Sequence, residues 1–151
     1  MNFTILSSDN SCNCHRSASE DLVSSFVRKV EYNKELKARD FKTHHERGKL
    51  PGSQDCKEVC GIRGLSIEIW NDNSREHLIE KYLRSYGISP KLKPKSQIVV
   101  FQFLEGCGKV KHTPDQKSER NIYHYDLYKS DEFTLEKICL LETIPLIDGD
   151  V

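Results

Sequence analysis

Long apolar runs are missing from this 151-residue sequence. The longest, Ile98–Phe101 and Ile138–Leu141, span four residues each, whereas a membrane helix needs about 20. No membrane association is therefore expected. The opening Met1-Asn2-Phe3-Thr4-Ile5-Leu6 has neither a basic stretch nor an apolar core of signal-peptide length, so the expected compartment is the cytoplasm. Net charge is missing as well, because 23 Lys and Arg balance 23 Asp and Glu. Coating nucleic acid needs clustered positive charge, so the balance does not favour that partner. There is no Gly-rich phosphate loop, no Gly-x-Ser-x-Gly, no His-Glu-x-x-His, no EF-hand pattern and no internal repeat.

What is present is unevenly distributed. Residues 31–63 carry eight Lys and Arg against six Asp and Glu, whereas residues 131–151 carry Lys137 alone against six acids. The acidic C-terminal end reads as solvated charge, or as a tail that docks on the basic middle or on a basic partner. At this length one core is expected. Residues 1–18 are rich in Ser, Asn and Cys and read as a flexible N-terminal arm, leaving 19–151 as a single domain.

Within that domain, Ser19-Glu20-Asp21 opens an apolar stripe of Leu22, Val23, Phe26, Val27 and Val30, which predicts a helix ending near Val30–Tyr32. A second helix is predicted over Lys34–Arg47, anchored by Leu36 and Phe41 and stopped by Gly48. Pro51-Gly52 marks a turn, and Gly61–Gly64 reads as a flexible segment. Leu65, Ile67 and Ile69 alternate as a strand should, and Ser74 caps a third helix over Arg75–Tyr86. Gln97–Leu104 and Lys109–His112 flank Glu105-Gly106-Cys107-Gly108, predicting a hairpin. Asn121–Tyr128 and Phe133–Leu141 complete about five strands. The sum is an α+β fold, with N-terminal helices and one further helix on a mainly antiparallel sheet.

Three clusters carry chemistry. Six cysteines in a cytoplasmic chain read as thiols or metal ligands before disulfides. Cys12, Cys14, Cys56 and Cys60 form two short-spaced pairs of the kind that hold zinc, with His15, His44 or His45 as substitute ligands. Neither pair has the usual C-x-x-C spacing. Cys107 and Cys139 do not read as ligands. The second cluster runs from Asp40 to Lys49. On a helix Asp40 and His44 share a face; with Glu46 as a second carboxylate and Lys49 or Arg47 as an anion clamp, they make the skeleton of a hydrolytic or phosphodiester-cleaving site. The same residues also suit a surface helix laced with ion pairs. The third cluster, Arg120 to Asp126, places Tyr123 and Tyr125 on one strand face and His124 and Asp126 on the other. Alternating tyrosines can stack bases or pack a core.

No cluster assembles a nucleophile, a base and an oxyanion donor. The expected function is therefore an intracellular interaction or accessory protein without a catalytic site. It would bind another protein through the 40–63 segment and one sheet face, with no cofactor. The alternatives are a small hydrolase or nuclease using Asp40, His44, Glu46 and Lys49, and a small domain stabilised by zinc on Cys12, Cys14, Cys56 and Cys60.

Overall fold

A computed structural model describes residues 1–7, 11–32, 35–84, 96–114 and 121–146. Its frame is six strands: β1 (Phe26–Glu31), β2 (Leu65–Ile69), β3 (Ser96–Phe103), β4 (Gly108–His112), β5 (His124–Lys129) and β6 (Ile138–Leu146). They form one sheet in the order β4-β5-β2-β1-β3-β6, and every neighbouring pair is antiparallel. Among the described residues three α-helices accompany it: α1 (Thr4–Ser7), α2 (Cys56–Arg63) and α3 (Arg75–Arg84). The α+β class and antiparallel sheet agree with the sequence; the sheet has one strand more than expected.

Both sheet faces are covered, because strand side chains alternate between them. On one face Phe26, Val30, Leu65, Ile67, Phe101 and Leu127 form the main core, closed by Phe41 from the loop after β1. On the other, Val27, Ile98 and Val100 lie under Leu78 and Tyr82 of α3. Tyr128 on that second face belongs to a separate cluster with Val59 of α2 and with Phe3 and Leu6.

The N-terminal half departs from prediction. Phe26–Glu31 is a central strand, not a helix. Its register against β3, Phe26 opposite Phe101 and Val30 opposite Gln97, sends Phe26 and Val30 to one core and Val27 to the other. A strand buried on both faces has apolar residues in runs, and here those runs mimic a helical stripe. Leu22 and Val23, the start of that stripe, are left exposed. Ser19, expected as a helix cap, instead exchanges backbone hydrogen bonds with Val110. The Lys34–Arg47 helix is likewise absent from its described part, which holds only a 3-10 turn at Ala38–Phe41 and a hydrogen-bonded turn over 44–48. Phe41 does anchor inward, fully buried, and Gly48 does end the turn, at φ 92°.

The predicted hairpin across Glu105–Gly108 does not form. β3 and β4 stand four places apart in the sheet. In a flat sheet that is about 19 Å, roughly the full reach of the connecting chain. The sheet therefore curls around the main core, where Phe103, Cys107 and Val110 meet. Gly108 is needed at that crossing: a Cβ there would stand 2.3 Å from the Tyr128 carbonyl oxygen. At the far edge, β6 carries one extra residue, Leu141, between the pairs Glu142–Val100 and Leu140–Phe101, and it contains Pro145. A bulge and a proline both discourage strand addition at an edge.

Candidate functional site

The four cysteines proposed as zinc ligands do converge, but as two disulfides, Cys12–Cys56 and Cys14–Cys60. Cys56 and Cys60 lie one turn apart on α2, so the helix presents both sulfurs to the same segment. A disulfide sulfur is not a thiolate, and metal binding by cysteine needs the thiolate. Among the described residues no group of three or more His, Cys, Asp or Glu is placed to hold a metal. His15 stacks on Phe3 with ring centroids 4.3 Å apart, while His44 is exposed on the 44–48 turn.

The disulfides hold the N-terminal segment against the domain. Phe3, Leu6, Cys12 and Cys14 are all buried, although 1–18 reads as a flexible arm from sequence. Further ties reinforce the contact. Asp131 accepts hydrogen bonds from the Thr4 and Ile5 N–H groups, 3.2 and 3.0 Å away. Arg63 of α2 donates from Nη1 to the Leu6 carbonyl at 2.8 Å. Helix α2, missed in the sequence reading, has a legible signal: Asp55 caps it by accepting from the Lys57 N–H, and Glu58 follows three residues later.

Where this segment meets the 42–46 loop and the end of β5 there is a cleft of about 170 Å³. Ile5, Leu6 and Phe133 form its apolar side, and His45, Glu46 and Lys129 are among its polar lining. Glu46 is bound within the fold. It accepts from Lys129 and from the Thr43 N–H, while its own N–H donates to Thr43 Oγ1. Partial burial pushes the Glu46 carboxyl up, but these hydrogen bonds outweigh it and hold its pKa below the ordinary value. Lys129 also donates to the Phe41 carbonyl at 2.9 Å.

The four residues of the suggested hydrolytic site do not converge. Asp40 is buried, with Oδ2 accepting from the Lys37 N–H at 2.8 Å. Glu46 points to Lys129, while His44 and Lys49 lie exposed on the turn. The i,i+4 pairing of Asp40 with His44 disappears with the helix that would have made it.

Around the same loop the arginines gather. Arg28 donates from Nε to the Asp40 carbonyl and from Nη1 to the Ser66 carbonyl, both at 2.7 Å. Arg47 donates from Nη2 to the Arg39 carbonyl at 2.8 Å and from Nε to the Lys42 carbonyl at 3.4 Å. Arg39 pairs with Glu31 at 3.2 Å. Burial, and then the Arg47 charge, lower the pKa of Arg28. Three guanidiniums thus surround one stretch of backbone.

The strand cluster is mostly structural. Tyr125 packs edge-on against Phe26 at 5.5 Å, and the Tyr123 hydroxyl donates to the Asn73 carbonyl. His124 Nδ1 lies 2.7 Å from the Thr113 carbonyl oxygen. Asp126 is buried, and burial raises its carboxyl pKa against the opposing charge of His124. Arg120 lies outside the described residues, as do the Lys91–Lys95 stretch and the tail acids Asp148 and Asp150. One buried carboxylate went unnoticed in the sequence. Glu68 accepts from the Tyr82 hydroxyl, from Lys81 at 3.1 Å and from Asn121 Nδ2 at 2.7 Å. Only the tertiary fold joins those residues, and no spacing announces them. Compared with protein-family models, with curated proteins and with solved structures, the chain matches none.

Proposed function

We propose that this chain is a non-catalytic binding protein whose working surface is the 37–50 loop with the adjoining cleft. One observation carries this reading. The carboxylates that would do chemistry in the loop are engaged by the fold: Asp40 is buried and accepts from the Lys37 N–H, and Glu46, itself partly exposed, is held by Lys129 and the Thr43 N–H. Lys42, His44, Lys49 and Leu50 face outward, Leu50 at 81% exposure. A loop fixed from beneath and exposed above suits recognition, because little ordering entropy remains to be lost on binding. The two disulfides support a working place in an oxidising compartment, since thiols are kept reduced in the cytosol. The zinc alternative then belongs to a reduced chain, and metal analysis of protein purified under reducing conditions tests it.

The experiment for the binding reading places a photo-crosslinking residue at Leu50 and, as a control, at Ile122, which is exposed beside His112. Adducts of discrete mass at Leu50 and none at Ile122 support it. Turnover of a generic ester or phosphodiester that His44→Ala abolishes would overturn it in favour of the hydrolase.

A further inference from the structure

The outward side of the 37–50 loop is predominantly basic. Lys37, Arg39, Lys42, Arg47 and Lys49 are all exposed there, whereas of the segment's two acids Asp40 is buried and Glu46, though exposed, is paired with Lys129. Asp40 is buried against the Lys37 backbone, and Glu46 is bound to Lys129. Glu31 answers Arg39. Arg28 and Arg47 have backbone carbonyls as their hydrogen-bond partners. A carbonyl orients a guanidinium without cancelling its charge, so forks suited to carboxylates are held in place. The turn closes on itself, with the Arg47 N–H donating to the Thr43 carbonyl and the Lys49 N–H to the His44 carbonyl. Lys49 and the exposed Leu50 are thereby brought back toward Lys42.

This is a basic surface with an apolar residue at its margin. We propose that it docks an acidic peptide segment of a partner protein, with carboxylates on Lys42, Arg47 and Lys49 and an apolar side chain against Leu50. The inference rests on the binding role proposed above and names the chemistry of the partner. A nucleic acid fits less well. The whole chain is neutral, whereas nucleic-acid binding rests on a large excess of positive charge.

The test is fluorescence anisotropy with a labelled short peptide of Asp and Glu around a central Leu. Its Asn/Gln counterpart and a single-stranded oligonucleotide of equal charge are run beside it. The paired variant Lys42→Glu/Lys49→Glu changes two exposed side chains and leaves the carbonyl contacts of Arg47 in place; Arg47→Ala is the second probe. Lys57→Glu on α2 is the charge control. The expected result is salt-dependent binding of the acidic peptide, weakened about tenfold or more by the paired reversal and unchanged by Lys57→Glu. Equal binding of the amide peptide, indifference to the paired reversal, or tighter binding of the oligonucleotide overturns the proposal. If the peptide fails but crosslinks at Leu50 persist, the acidic-partner inference falls and the binding surface stands. If both fail, both fall.

Discussion

Removing the disulfides one at a time and then together tests how the N-terminal segment is held. Each bridge spans a long loop, with sequence separations of 44 and 46. Closing a loop of that size in the unfolded chain is worth about 4 kcal/mol by chain entropy. The two bridges are not independent, however. Once Cys12–Cys56 is closed, Cys14–Cys60 closes only a small ring of about eight residues, 12–14 on one side and 56–60 on the other, worth about 2.5 kcal/mol. Cys12→Ser/Cys56→Ser alone should therefore cost about 2.5 kcal/mol, because the other bridge still closes the large loop. Cys14→Ser/Cys60→Ser alone should cost the same. Removing all four cysteines should cost about 6.5 kcal/mol, more than the sum of the parts and comparable with the whole stability of many domains. Urea unfolding followed by fluorescence of the single tryptophan, Trp70, reads all three. Two single costs of about 4 kcal/mol each would refute the interlocked arrangement, and so would single costs that each equal the cost of removing all four cysteines, as expected for pairing within Cys12–Cys14 and Cys56–Cys60, where either double substitution opens both bridges.

Other outcomes follow from the core and its buried groups. Phe41→Ala removes a fully buried ring that meets Phe101 edge-on at 5.4 Å. It should cost about 3–5 kcal/mol by chemical denaturation, and a cost under about 1 kcal/mol would mean that the loop is not seated on the sheet. Alkylation of the native protein, read by mass spectrometry, should label partly exposed Cys139 and spare Cys107, whose thiol burial pushes up to about 12; labelling of both without denaturant would contradict the buried crossing. Asp126→Asn tests a sign. The folded-state pKa of Asp126 is raised, so its stabilising contribution is present below the ordinary value and is lost as pH rises through the folded value. Relative to wild type, the variant should therefore gain stability as pH rises above the ordinary carboxylate value, by thermal melts, and an advantage that is flat or falls with pH would refute the burial argument.

Some of this protein is legible in its residue order. Leu65, Ile67 and Ile69 alternate, and they form a strand. Ser74 precedes Leu78, Ile79 and Tyr82 at helical spacing, and that helix forms with Leu78 fully buried. Phe41 is apolar among charges and finds the core. Such local patterns survive because the period of the chain matches the element that buries it. Polar clustering alone did not reveal a site. The residues from Asp40 to Lys49 look like chemistry on a helical wheel, and the loop they occupy sends them in separate directions.

What only the tertiary structure decided lies between distant residues. Phe26–Glu31 is a strand because β2 and β3 flank it, from about 40 to 75 residues away in the chain, while Phe41 and α3 cover its two faces. Residues 103–108 cross the curled sheet where a hairpin was expected, because β4 pairs with β5 instead of β3. The cysteines joined the N-terminal segment to α2 as disulfides, whereas the spacing pattern suggested zinc. By itself the sequence determined the α+β class, the antiparallel strands and the charge balance, since these rest on period and composition. Strand order, disulfide pairing and the outward basic surface required the folded chain, because each depends on residues that meet only after the sheet has closed around Phe26, Phe101 and Leu127.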